Sequence, residues 1–471
     1  MIILELKCLK FLNWHQRNTK ALIESIRSKH SRSHLVLYSV ILLLISANWT
    51  SVSFAQEKTK QDSTFVELDY EDPVDKTGES DSNFVQIVRG KPQEEDIEFD
   101  TVSQYQDVYP LDIASDRGLF ILSPDRMMQM RILGSVRVLM NYGDQAMPDK
   151  LTFNPYEIPL RTEPQTPNFY ADLRLTRLGF EVTRRTREMG DLFIRIETDF
   201  AGSNGFRIRH AYGQLGSLLI GQTWTLFSNA SYVVPTVSRD GAAGSSVFFT
   251  PQVRYSHLIN NTLNWQASIE YSTPSIDVPD SINANLVQVI PDLIGRINYK
   301  KDKLSFRIAA LITTISGTDT TDAVSYSFGG GASFSGMYEF SQTNTLHFSF
   351  TSTYAASRFM DVFSGENEDI AYDPQKQVFE GLLATGGLIA WSHVWPKNLS
   401  SSLSFGFAAI TNRDFQSDNA YSHSYNALIN VFWQPVDGAR LGIEYASGER
   451  WNKSGERGRA TRFSILMYYD F

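Results

Sequence analysis

From Met128 onward, apolar and polar side chains alternate with a period of two, the period of an extended strand with two unlike faces. In the first such segment Met128, Met130, Ile132, Val136, Val138, Met140 and Tyr142 share one face, while Gln129, Arg131, Ser135, Arg137 and Asn141 share the other. A soluble sandwich has no use for arginines on the face it encloses. A membrane barrel does, because it crosses the bilayer in about nine to eleven residues per strand, with lipid on one side and water on the other. Sixteen segments carry the pattern, at 128–142, 169–184, 190–201, 205–215, 217–224, 250–259, 261–273, 289–300, 303–316, 324–341, 343–357, 378–395, 398–412, 420–434, 438–449 and 459–471. Connections after even-numbered segments are tight, as at Gly216, Asn260-Asn261, Lys301-Asp302, Pro396-Lys397 and Pro435-Val436-Asp437-Gly438. Most of those after odd-numbered segments are long (143–168, 225–249, 274–288, 358–377), although 202–205 is short. Short turns at one rim and long loops at the other predict an all-β fold, a 16-stranded antiparallel transmembrane β-barrel. It must close, since an open edge would strand backbone donors and acceptors in hydrocarbon.

The connection 225–249 carries Tyr232, Val233, Val234, Val247, Phe248 and Phe249, too much apolar surface to leave in water, so it is expected to fold inward as a constriction loop. The strand before it reads as Phe206, Ile208 and Tyr212 on one face against Arg207 and Arg209 on the other. In the second segment Leu173 and Leu175 have the opposite parity from Leu178, Phe180 and Val182, which implies a bulge or a protomer-facing patch. Trp224, Trp265, Trp391, Trp395, Trp433, Tyr468 and Tyr469 fall near strand ends, where amphipathic rings settle at the membrane interfaces. The last strand puts Phe463, Ile465, Met467, Tyr469 and Phe471 on one face and ends on an aromatic residue. Such an ending resembles the signal by which barrels are handed to the outer-membrane insertion machinery.

Ahead of the barrel the chain changes character twice. Residues 1–55 combine a basic stretch, an apolar run from Leu35 to Ala47 and the small residues of Ser53-Phe54-Ala55, the three-part pattern of a signal peptide. Residues 56–115 form an acidic leader expected to be disordered in the periplasm, and the barrel domain is placed at 116–471. The formal charge of −9 divides accordingly: seven Lys/Arg against two Asp/Glu in 1–55, five against fifteen in 56–107, and a nearly neutral remainder. Cys8 is the only cysteine, and the leader's carboxylates lack the spacing of a Ca²⁺ loop, so no cofactor or metal is implied. Nothing points to nucleic acid.

By parity the inward faces collect Arg131, Arg137, Arg177, Arg195, Arg207, Arg209, Arg254, Arg296 and Arg307, interleaved with Glu181, Glu197 and Asp199. Guanidinium stays charged and presents paired donors that match a carboxylate or phosphate edge. A ladder of these groups would favour anions in a narrow passage, and neighbouring acids would allow release. The competing reading is that arginines and acids pair across strands to brace the wall. Arg207, Arg209 and Arg254, which flank the long loop, are the stronger pore candidates. Arg239, within the loop, either sits at the constriction or pairs with Asp240. Enzymatic chemistry is not expected: the histidines are scattered and no Gly-x-Ser-x-Gly nucleophile motif occurs. A structural or adhesive barrel would leave the apolar long loop unexplained.

Thr176-Arg177-Leu178-Gly179-Phe180, Gly190-Asp191-Leu192, Ile196-Glu197-Thr198-Asp199-Phe200, Phe206-Arg207-Ile208-Arg209-His210-Ala211-Tyr212-Gly213 and Ile220-Gly221-Gln222-Thr223-Trp224-Thr225-Leu226-Phe227 resemble the DcaP-like trimeric porins, and more distantly the phosphate-selective O/P porins. The resemblance implies a homotrimeric channel in outer-membrane lipid, with an inward third loop and small organic anions, dicarboxylates in particular, as solutes. Phosphate or polyphosphate is the alternative. Many family members carry a coiled-coil segment before the barrel; residues 56–107 show no sustained heptads.

Overall fold

The computed structural model describes residues 86–89, 107–186, 189–277, 285–288, 290–318 and 324–471. The expected signal peptide, and the leader up to residue 106 apart from Gln86–Arg89, lie outside the described residues. The barrel is closed, antiparallel and 16-stranded. Its strands are β1 (Met128–Gly143), β2 (Asn168–Asp172 and Arg177–Arg185), β3 (Asp191–Asp199), β4 (Arg207–Leu215), β5 (Leu218–Trp224), β6 (Phe249–Asn260), β7 (Leu263–Glu270) and β8 (Asp292–Lys301). They continue as β9 (Leu304–Thr318), β10 (Val324–Ser341), β11 (Asn344–Tyr354), β12 (Leu383–Trp395), β13 (Leu399–Thr411), β14 (Tyr421–Val436), β15 (Ala439–Asn452) and β16 (Arg457–Asp470).

Closure is made by β16 against β1, in register from Arg462 opposite Gly143 to Asp470 opposite Ser135. Phe471 and Gly134 then exchange both backbone hydrogen bonds, at 2.9 and 3.0 Å, which seals the seam. Past that point Leu119–Leu122 takes over the same edge of β1, with Gln86–Arg89 paired to its far side. The outer face carries Ile312, Phe328, Val394 and Ile429, each more than half exposed, as lipid-facing residues should be.

Three local features depart from simple alternation. In β2 a turn at Leu173–Thr176, closed by the Thr176 amide on the Leu173 carbonyl, resets the parity: Leu173 points outward and Leu175 is buried. In β4 the register slips opposite Glu197/Thr198, so Arg209 and His210 both face inward. This β-bulge also carries Tyr212 inside, away from the outward face assigned to it with Phe206 and Ile208. The segment read as one strand at 378–395 is two. Val378–Gly381 pairs with Ile370–Asp373 in a separate three-stranded sheet that includes Ile276–Asp277, and β12 begins only at Leu383. Alternation identifies a strand but not its partner. Here the turn between them is held by Asp373, which accepts from the amides of Gln375 and Lys376 at 2.9 and 3.2 Å.

The apolar core lies inside the cylinder, where long connections fold back onto the wall. The expected inward loop does so: Leu226, Phe227, Ala230, Val237 and Ala243 are buried, and each Leu, Val or Phe removed from water contributes about 1.5–3 kcal/mol. Glu444 on β15 accepts from the amides of Val237 and Ser238, both at 2.9 Å, and Asn426 on β14 accepts from Ala243 at 2.9 Å. Two further connections enter as well, bringing Leu151, Phe153 and Ile158, and Phe359, Met360 and Phe363, into buried positions. Gly406 on β13 lets the loop lie directly on the wall, since a Cβ there would stand 2.2 Å from the Ala243 carbonyl oxygen. Gly406→Val should therefore over-pack this contact by about 1–3 kcal/mol, lowering the thermal unfolding midpoint of the purified barrel. Gly295→Ala, whose added methyl meets nothing within 4 Å, should leave it unchanged.

The arginine-lined lumen as candidate functional site

Strands β1 to β4 build a continuous charged wall, because antiparallel register sets inward residues of neighbouring strands side by side. Arg131 lies opposite Glu181, Glu181 opposite Arg195, Arg177 opposite Asp199, and Asp199 opposite Arg207. The side chains use that placement. Arg131 meets Glu181 at 2.8 Å, Arg195 meets Glu197 at 2.5 Å, and Arg207 grips both oxygens of Asp199 at 2.9 and 2.6 Å. Arg209 reaches Glu197 at 2.8 Å and Asp199 at 3.3 Å, and Arg177 lies 3.6 Å from Glu197. For these five arginines, pairing across and along strands is what the structure shows.

Arg254, Arg296 and Arg307 are arranged differently. They project from β6, β8 and β9, and their partners on the wall are neutral: Gln252 for Arg254 at 2.8 Å, and Gln266 for Arg296 at 3.0 Å. Successive alternate carbonyls where β5 passes into the inward loop cap all three, Trp224 taking Arg254, Leu226 taking Arg296 at 3.3 Å, and Ser228 taking Arg307 at 2.9 Å. Among the described residues no wall carboxylate forms a salt bridge with any of the three. The grouping of Arg207, Arg209 and Arg254 as pore candidates beside the long loop is thus divided: the first two belong to the charged wall, and Arg254 lies with Arg296 and Arg307.

The counter-charge comes from the N-terminal side of the barrel. Residues 107–118, the first nine of which the sequence assigns to the leader, lie along the inner wall. Asp107 is buried between Arg296 at 2.9 Å and Arg307 at 2.7 Å, one guanidinium on each carboxylate oxygen. Asp112 pairs with Arg177 at 3.0 Å and Arg209 at 3.5 Å. The Leu111 carbonyl accepts from Arg137 at 2.8 Å, and the carbonyls of Ala114 and Arg117 both accept from Arg131. Tyr109, Leu111 and Ile113 are buried at alternate positions. That short alternation, breaking the acidic run, is the sequence signal that could have placed this segment inside.

A sequence model of the DcaP outer membrane protein family matches residues 121–471. The chain belongs to this family. Its fold is similar to that of the outer membrane channel DcaP of Acinetobacter baumannii, at 20% identity and a TM-score of 0.64, covering 73% of this chain and 97% of that one. It is also similar to the anion-selective porin from Comamonas acidovorans, at 10% identity and a TM-score of 0.50, covering 73% and 100% of the two chains. No curated protein matches the chain. This DcaP-family protein is a porin of the outer membrane.

Two of its aromatic and charged features depart from expectation. Trp224 is not an interface residue. It is buried in the lumen, stacked on Phe249 at 4.0 Å with the Arg209 guanidinium 5.6 Å from its ring centre, whereas Trp265, Trp391, Trp395 and Trp433 are exposed on the outside. Tyr469 is exposed on the outer face as well, but Tyr468 is buried on the inner one, 4.8 Å from the Arg137 guanidinium carbon. Arg239 sits in the loop as expected and pairs with Asp240 at 2.8 Å and Asp149 at 3.4 Å. It lines a cavity of ≈ 190 Å³ together with Arg177, Arg207 and Arg209, and with carboxylates that the strand pattern could not reveal, Asp149, Glu157, Asp361 and Glu366, because they arrive on the other two inserted connections.

Three of those loop carboxylates, Glu157, Asp361 and Glu366, are held toward their neutral forms, burial being the largest cause in each. Burial, with help from Glu157, pushes Glu366 up to about 7. Burial and the neighbouring Asp240 raise Asp361 to about 8. Each is uncharged below its raised value and ionises as pH climbs through it, so the DcaP-family vestibule gains negative charge between about pH 6 and 9. The ratio of anion to cation permeability should fall over that range in planar bilayers, and more shallowly in Glu366→Gln. A ratio that rises with pH contradicts the assignment.

Proposed function

We propose that this porin passes small anionic solutes by diffusion, with dicarboxylates and similar organic anions as the solute class. The observation that carries the reading is the trio Arg254, Arg296 and Arg307, three permanent positive charges that no wall carboxylate meets in a salt bridge among the described residues, their hydrogen bonds going to neutral groups of the wall and the inward loop. In a narrow passage three guanidinium groups that outnumber their resident carboxylate, Asp107, lower the barrier to anions and raise it to cations. The remaining arginines, Arg131, Arg137, Arg177, Arg195, Arg207, Arg209 and Arg239, act as a balanced background that tunes the field. Phosphate is the second reading, favoured by the Arg307 Nε–H, a buried donor with no acceptor that an anion with more oxygens than a carboxylate could satisfy.

The resemblance to trimeric porins supports assembly as a homotrimer. Phe169 and Leu173, both exposed on the outer face beside the break in β2, suit a protomer contact. Phe471, at the seam, is the residue offered to the insertion machinery.

Reversal potentials across a KCl gradient test the selectivity. Wild type should prefer chloride, and Arg296→Gln with Arg307→Gln should cut the anion-to-cation ratio on the order of threefold. The charge-balanced control, Arg131→Gln with Glu181→Gln, should leave the ratio where it was. Cation preference in wild type, or no response to the Arg296→Gln, Arg307→Gln double variant, would overturn the proposal.

A further inference from the structure

We propose that Arg254, Arg296 and Arg307 form a carboxylate-binding site whose resident ligand is Asp107 of the same chain, so that a carboxylate solute occupies it by displacing the N-terminal segment. The inference rests on the anion-porin reading and gives it a specific site. A buried cluster of three guanidinium groups needs a compensating anion. In this structure the anion is a side chain with the chemistry of the solute: each oxygen of Asp107 takes one guanidinium, and the Ser231 hydroxyl donates to Oδ1 at 3.1 Å.

The attachment of this segment is of a kind that can exchange. Residues 107–118 join no strand, unlike Leu119–Leu122 immediately after them. They are held by acceptor oxygens that meet arginines, by the Val108 amide on the Ser231 hydroxyl at 3.2 Å, by the buried side chains of Leu111 and Ile113, and by Tyr109, which packs 5.8 Å from the Trp224 ring and donates to the Arg239 carbonyl at 3.0 Å. Carboxylate for carboxylate, an incoming solute recovers the ion pairs that Asp107 gives up. Asp112 does not define an equivalent site, because Arg177 and Arg209 already meet Glu197 on the wall. The resident carboxylate lowers the apparent affinity for solute by the fraction of time the site is vacated.

The test uses the full chain in planar bilayers, with succinate as the probe and the block of chloride current as the readout. Asp107→Asn should lower the half-blocking succinate concentration by about tenfold, Asp107→Glu should stay near wild type, and Asp112→Asn should change it much less. A tether provides an independent check. With Val108→Cys and Ser231→Cys in a Cys8→Ser background, oxidation should raise the half-blocking concentration and dithiothreitol should restore it. An unchanged half-block in Asp107→Asn, or in the oxidised tether, overturns the site assignment while wild type remains anion-preferring. Cation preference in wild type removes the anion-selective reading and this site with it.

Discussion

In hydrocarbon there is no water to satisfy a backbone amide, so every strand of a membrane sheet must be paired along both edges. The exchange of hydrogen bonds between Phe471 and Gly134, continuing the β16–β1 register, meets that requirement here. Once the sheet is a cylinder, alternation along each strand becomes a division between lipid and interior. Ile208 then faces outward while Arg207 faces inward, and the same rule repeated around the barrel gathers the arginines into one enclosed space.

That gathering creates the second constraint. Guanidinium groups cannot be crowded together in a confined space without counter-charge, and this chain supplies it in two ways. On β1 to β4 the acids are built into the wall, so Glu181, Glu197 and Asp199 share their oxygens among five arginines. On β6, β8 and β9 the wall offers amides and carbonyls, and the charge is met by Asp107 from outside the barrel sequence. Wall pairs brace the barrel and are hard to exchange. The Asp107 pairs hold a segment that lies in the bore without joining the sheet, so bracing falls on one set of strands and the proposed solute site on another.

What could be read from the sequence follows the same physics. Strand positions, the closed count and the inward parity of the arginines were legible because period-two alternation is written residue by residue. The inward loop at 225–249 was legible because its apolar content had nowhere else to go. The bulge that turns Tyr212 inside was not, since one extra residue leaves no mark in composition. Nor was the separate pairing of Val378–Gly381, or the burial of Trp224 against Phe249, because both depend on which element lies opposite. The insertion of the connections bearing Glu157 and Asp361, and of Asp107 itself, was hidden by the many polar residues around their apolar ones, which suited solvent equally well.

The division of each strand between membrane and bore is the claim on which the rest stands, and thiol accessibility on β4 tests it most directly. In a Cys8→Ser background, a charged water-soluble thiol reagent should modify Arg207→Cys in the intact outer membrane and leave its neighbour Ile208→Cys untouched. Modification at position 208 with protection at 207 would contradict the account.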